Sequence, residues 1–298
     1  MTRSARLRAL LAPLGILVIV AAMFPVLSRL LHRNRPRFPY AVGTMTDEAY
    51  AALANGANGN GWQASRLEVA PGVTLNGIIR RPSSPGAPDA RWILFFPGND
   101  ASQLATGKKF LENVRGAHDW GLAVWAYRGF SSSGGSPDPE SLTSDAAKIY
   151  ANLLATENVP PSRVNIVAFS LGGYVAAKVT GDAAAAGRPV ASLSLVAAVQ
   201  DIAMVHPSPF QRIVPGDTFE ILPLLDAVPA PVLVMIGTKD EALGAEQGRK
   251  IAERLGARAR YIELEGVAHN PMLDAQATFD AVRDMVERRR AGDASGSW

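Results

Sequence analysis

From about residue 65 onward, short apolar runs alternate with stretches whose apolar residues return every three or four positions. The first kind suits buried strands and the second amphipathic helices, so the alternation predicts a parallel sheet with helices on its faces. Arg66–Ala70 and Thr74–Arg80, split by Pro71-Gly72, read as an opening hairpin. Trp92–Phe96, Leu122–Tyr127, Val164–Phe169, Val190–Ala197, Pro231–Ile236 and Arg260–Leu264 follow, each rich in branched or aromatic residues, as strands covered on both faces are. Helices are predicted near 103–116, 141–156, 171–182, 245–255 and 274–289.

Three segments fall outside this rhythm. Residues 201–230 carry Pro207, Pro209, Pro215 and Pro223 between two predicted strands and read as a small lid above the sheet edge. Residues 33–65, with Pro36, Pro39 and the Gly/Asn-rich Asn55–Gly61, read as a linker or a poorly regular lead-in to the fold. Residues 291–298 form a polar, disordered tail, which leaves 66–290 as the domain proper.

The N-terminus has a different character. Ala9–Ser28 is an uncharged, mostly apolar run of twenty residues flanked by Arg on both sides. At about 1.5 Å per helical residue it is long enough to cross a hydrocarbon core of about 30 Å. Residues 1–32 therefore read as a single-pass membrane anchor. A cleaved signal segment, with Val20-Ala21-Ala22 as a weak cleavage site, and a buried helix are the alternatives. Three Arg precede the run and four follow it closely, so flanking charge fixes neither orientation nor export of the main domain.

Composition narrows the function. A chain of 298 residues, 48% hydrophobic, can bury one large core and is too short for two ordinary domains and a tether. A sequence pI near 9.3 invites a polyanionic partner, but the location of the charge removes the motive. Residues 1–40 hold seven Arg and no acid, so the remainder carries 23 basic against 27 acidic residues, and no nucleic-acid partner is expected. The absence of cysteine excludes disulfides, thiolate metal sites and a Cys nucleophile, while leaving the compartment open.

The sharpest chemical signal is Val164-Asn165-Ile166-Val167-Ala168-Phe169-Ser170-Leu171-Gly172-Gly173, which reads as strand, abrupt turn and helix with Ser170 at the turn. A nucleophile on such an elbow needs small residues two before and two after it, because the tight turn presses neighbouring backbones together. Here they are Ala168 and Gly172. A helix start beneath the hydroxyl also favours negative charge nearby. The plainer reading of Ser170 is a helix N-cap.

A serine nucleophile needs a base and an acid to orient it. Of the four histidines, His32 lies in the anchor flank, His118 before the Leu122–Tyr127 strand and His206 in the proposed lid. His269 follows the last predicted strand in Gly266-Val267-Ala268-His269-Asn270-Pro271, where a side chain can reach over the sheet edge. Asp240 follows the strand through Val232–Ile236 and the turn Gly237-Thr238-Lys239; Glu241 competes with it, and helix capping is the plain alternative for both. Phe95-Phe96-Pro97-Gly98-Asn99 ends the first strand of the parallel core, and Gly98 permits close approach of backbone to substrate. The N–H groups of Asn99 and Leu171 are the candidate oxyanion donors; an ordinary strand-ending turn is the alternative for the former.

Across 66–290 the pattern resembles the α/β-hydrolase superfamily. The stretches Tyr127-Arg128-Gly129-Phe130-Ser131-Ser132-Ser133-Gly134-Gly135-Ser136-Pro137, Ala168–Gly173, Gly237–Glu241 and Ala268-His269-Asn270 are similar to a small-lid branch, often N-terminally membrane-anchored, that includes protein depalmitoylases. The resemblance implies an α/β fold with a mostly parallel sheet, a Ser170–Asp240–His269 triad and oxyanion donors at Asn99 and Leu171. It departs from the branch at Pro97, where His is usual, and at Ala168, where Gly is usual. The implied reaction is hydrolysis of an ester or thioester through an acyl-enzyme, with no metal or cofactor. A lid of about thirty residues leaves an open site for acyl groups on lipids, proteins or xenobiotics. A peptidase on the same triad and a non-catalytic tethered binding protein remain as rivals. Oligomeric state is not specified by the sequence.

Overall fold

The computed structural model describes residues 38–55, 61–84, 90–200, 217–229 and 231–288. The expected membrane span Ala9–Ser28, residues 201–216 of the expected lid and the C-terminal tail lie outside the described residues. Among the described residues no helix is long and apolar enough to cross a membrane. Two compact units divide the chain, Pro39–Val205 with Thr218–Trp298, and Met1–Phe38 with His206–Asp217. In the second unit the described residues are Phe38 and Asp217, joined by a 3.1 Å hydrogen bond from the Phe38 N–H to Asp217 Oδ2.

The first unit is built on eight strands: β1 (Trp62–Ala70), β2 (Val73–Arg80), β3 (Trp92–Phe96), β4 (Gly121–Trp125), β5 (Val164–Phe169), β6 (Ser192–Val196), β7 (Val232–Gly237) and β8 (Ala259–Leu264). They form one sheet in the order β1-β2-β4-β3-β5-β6-β7-β8. The β1–β2 and β2–β4 pairs are antiparallel and every later pair is parallel. Every residue of β3 through β7 is buried. Successive strand residues point to opposite faces, so both faces of this part of the sheet are covered.

The cover comes from α2 (Gln103–Arg115), α3 (Pro139–Thr156), α4 (Gly172–Ala185), α5 (Ala245–Leu255) and α6 (Gln276–Arg288), each within a few residues of its expected position. Phe110 of α2 bridges Phe95 of β3 and Phe279 of α6, at ring separations of 5.1 and 5.8 Å. The start of α3 is fixed by Asp138, which accepts the Ser141 N–H while Ser141 Oγ accepts the Asp138 N–H, with Pro139 in the first turn.

Regular structure begins earlier than the sequence suggests. Within the stretch read as a linker or irregular lead-in lie the start of β1 at Trp62 and an additional helix, α1 (Asp47–Asn55). Thr46 Oγ1 accepts the Ala49 N–H at 3.2 Å, and Asp47 and Glu48 occupy the first turn, a start signal that the surrounding Pro and Gly obscured. Tyr50 secures this helix by donating its hydroxyl to Gly77 O at 2.7 Å.

The strand order reverses at β3, whose neighbours are β4 and β5. Chain leaving the carboxyl ends of β3 and β5 therefore diverges, which opens a crevice where α/β sheets bind ligands. Pro97-Gly98-Asn99 and Ser170 sit at those two strand ends.

Candidate active site

β5 ends at Phe169 and α4 starts at Gly172, so the chain must reverse across Ser170 and Leu171. Ser170 takes a φ of +51°, a left-handed conformation costly for a residue with a side chain. The turn is closed by hydrogen bonds from the Ser170 N–H to Val196 O (3.0 Å) and from the Gly173 N–H to Ser170 O (2.9 Å). A Cβ at position 172 would lie 2.1 Å from Phe96 O, so glycine is required there. Ala168 is fully buried, whereas Ser170 is half-buried at the strand's carboxyl end.

The register Phe96↔Ala168 sets Pro97-Gly98 beside Phe169-Ser170. A Cβ on Gly98 would stand 2.8 Å from the Phe169 ring and 3.3 Å from Ser170 Cβ, which shows how closely the two turns approach. Neither the Asn99 N–H nor the Leu171 N–H hydrogen-bonds another described residue, although Leu171 is only 1% exposed. A buried amide left without a protein partner is uncommon.

The orientation of the Asn99 amide has an identifiable cause. The Gly98 carbonyl, at the other end of the same peptide, accepts Gln103 Nε2 at 2.8 Å and the Asp100 N–H at 3.0 Å. In a trans peptide the C=O and N–H point in opposite directions, so tying down the carbonyl aims the Asn99 N–H away from Gln103. Gln103 is fully buried and its Oε1 accepts the Tyr127 N–H at 2.9 Å. The Tyr127 hydroxyl donates to Pro97 O at 3.0 Å, and burial pushes that phenol well above its ordinary value, so it stays a donor. Proline in place of the usual histidine leaves the turn anchored through its carbonyl.

On the opposite side, Asp240 follows β7 and His269 follows β8. The two loops are laced together: the Lys239 N–H donates to Val267 O at 3.0 Å, and a Cβ on Gly237 would lie 2.1 Å from the same oxygen. His269 Nδ1 lies 2.7 Å from Asp240 Oδ2, and Asp240 Oδ1 accepts the Leu243 N–H at 3.0 Å. Asp240 is 3% exposed, and a carboxylate buried that deeply needs donors at both oxygens. In the tautomer that donates from Nδ1 to Asp240, the Nε2 lone pair is free to accept a proton. Glu241 is exposed to solvent. The Phe169 ring, next to Ser170 in sequence, lies 4.9 Å from the His269 ring. His118 stacks on Trp120 and contacts Glu287 at 2.8 Å; His32 and His206 lie outside the described residues.

A cavity of about 410 Å³ abuts these turns, with Phe95, Phe110, Phe169 and Leu273 as its apolar lining and Asn99 and Asn270 at its polar side. Arg128 makes a bidentate ion pair with buried Asp145 (2.5 and 2.7 Å), and Ser131 Oγ donates to Ala101 O at 3.1 Å, which fastens the loop after β4 to α3 and to the turn after β3. Among the described residues no group of three or more His, Cys, Asp or Glu side chains could hold a metal ion. Gln103 was not singled out in the sequence; Tyr127 opens the Tyr127–Pro137 stretch, but nothing local shows that its hydroxyl acts on the Pro97 carbonyl of another strand end.

No family model matches the chain. An uncharacterized protein of Mycobacterium tuberculosis is 28% identical over 226 residues, 73% of this chain and 76% of its own length. Alpha/beta hydrolase domain-containing protein 17B of Homo sapiens is 24% identical over 195 residues, 62% of each chain. Among solved structures, an alpha-beta hydrolase of Vibrio vulnificus superposes with a TM-score of 0.65 at 19% identity, covering 83% of this chain and 87% of that one. An esterase of Pyrococcus furiosus superposes with a TM-score of 0.61 at 14% identity, covering 86% and 96%. The likeness to the solved structures is one of fold.

Proposed function

We propose that the chain is a serine hydrolase of the α/β-hydrolase superfamily that cleaves carboxylic ester or thioester bonds, a reading supported by its likeness to alpha/beta hydrolase relatives and by the shared fold. The observation that carries the reading is the buried Asp240 carboxylate 2.7 Å from His269 Nδ1, in a loop laced to that of His269. It is supported by the strained Ser170 turn and by the two amides, of Asn99 and Leu171, without partners among the described residues.

In the proposed cycle His269 Nε2 takes the Ser170 hydroxyl proton as Oγ attacks the acyl carbonyl. The Asn99 and Leu171 N–H groups receive the oxyanion, and Asp240 stabilises the imidazolium. Collapse expels the alcohol or thiol, which takes the proton from His269. Water then attacks the acyl-enzyme with His269 again as base, and release of the acid restores Ser170. An alkyl fluorophosphonate tests the assignment: the wild-type chain is expected to label and Ser170→Ala to remain unlabelled. Equal labelling of the two, or none of the wild type, overturns it.

Residues 1–32 are proposed to anchor the hydrolase to a membrane, on the strength of the uncharged run Ala9–Ser28. The full chain is then expected to stay with membranes through alkaline carbonate extraction, and a chain lacking 1–32 to be released. Release of both would refute the anchor.

A further inference from the structure

The side chain of Asn99 is occupied in a way the reaction does not require. Its Oδ1 accepts the Ala41 N–H at 2.7 Å and its Nδ2 donates to Pro39 O at 3.1 Å. The amide thus pairs with the backbone on both sides of Tyr40, much as a neighbouring strand would. The Tyr40 ring packs edge-on against Phe130 at 6.4 Å and against fully buried Phe219 at 6.3 Å. Three residues after Tyr40, the backbone at Gly43 presses on Ala101, where an added Cβ would come within 2.6 Å of Ala101 Cβ. Ala41 itself lines the cavity, together with the apolar Phe95, Phe110, Phe169 and Leu273 and the charged Asp100, Lys109 and Asp274.

We propose that residues 39–41 are a specificity-determining strap, held by Asn99, that forms one wall of the acyl-binding cavity. The inference rests on the serine hydrolase reading and extends it: acyl-chain length is set in part by the segment that precedes α1 in sequence. Asn99 is then a positioning residue through its side chain, separately from any donation by its backbone N–H. Because Ala41 is exposed, a larger side chain there can extend into the cavity without displacing the core.

The test compares kcat/KM for p-nitrophenyl butanoate and decanoate in variants confirmed as folded by thermal unfolding. Ala41→Phe is expected to lower the decanoate-to-butanoate ratio at least tenfold. Asn99→Ala is expected to move the ratio at least fivefold from the wild-type value, and Asn99→Asp, which keeps an acceptor for the Ala41 N–H, to restore part of the change. A ratio in Ala41→Phe within twofold of wild type overturns the proposal. Binding provides a readout free of catalysis: 2-dodecanone is expected to stabilise Ser170→Ala against heat more than butanone does, and adding Ala41→Phe to remove the difference. If the wild type hydrolyses neither ester, the hydrolase reading fails and binding alone judges the strap; an unchanged difference in the double variant then overturns it.

Discussion

Ser170 stands at the end of β5, between β3 and β6, in a part of the sheet where every strand residue is buried. His269 follows β8, an edge strand whose six residues are all partly exposed. The serine side is held by backbone sterics: a positive φ, a glycine that no side chain can replace and carbonyls tied to buried partners. The other side, that of the proposed base His269, is held by the 2.7 Å His269–Asp240 contact and by lacing between two loops. The contrast teaches that the two halves should fail differently, the first by losing packing and the second by losing chemistry in a chain that stays folded.

Asp240→Asn should separate them most clearly. The Asn oxygen can still accept the Leu243 N–H, but its NH2 then faces His269 Nδ1 and drives the ring proton to Nε2, removing the base. A loss of ~10⁴-fold in kcat is expected with a nearly unchanged unfolding temperature. A loss below tenfold would remove Asp240 from its role.

Gly172→Ala attacks the serine side. Its Cβ would meet Phe96 O at 2.1 Å, so urea denaturation should show a stability loss of about 3 kcal/mol. Wild-type stability would show that the turn can relax and that its geometry is not sterically fixed.

Gln103→Leu sharpens the comparison by loosening the turn that carries the proposed oxyanion donor Asn99. With the Gly98 carbonyl freed of its side-chain donor, kcat should drop by about 10²-fold while KM changes little. A change confined to KM would mean that the Asn99 amide serves binding instead of the transition state.

The smallest effect is expected at the cavity rim, where Lys109 and Asp274 pair at 2.6 Å but are 65% and 60% exposed. Lys109→Ala should cost less than about 1 kcal/mol of stability by thermal unfolding. A larger loss would show that this rim supports the base side beyond an ordinary surface ion pair.

The parallel strands were legible because each is a short apolar run bounded by turn residues, a pattern that burial on both faces imposes whatever the neighbours are. The elbow around Ser170 was legible for a related reason: a tight strand-to-helix turn demands small residues at fixed offsets, and Ala168 and Gly172 supply them. Asp240 and His269 could be named from their places after predicted strands, with Glu241 as the competitor to Asp240. In the structure the two neighbouring acids differ in burial, and it is Asp240 that lies 2.7 Å from His269 Nδ1.

Helix α1 was hidden, since its nine residues sit between a Pro-rich and a Gly-rich stretch and its stability comes from Tyr50 docking on distant strands. The contacts around the strand ends were hidden more completely. Gln103 and the hydroxyl of Tyr127 bond the carbonyls of Gly98 and Pro97, and Asn99 holds Pro39 and Ala41, some sixty residues away. Local sequence determined which elements form and where chemistry-bearing residues fall along them, because those outcomes depend on period and spacing. Tertiary structure alone decided which carbonyl each buried amide holds and which segment walls the cavity, because hydrogen bonds between distant residues leave no periodic trace in the chain.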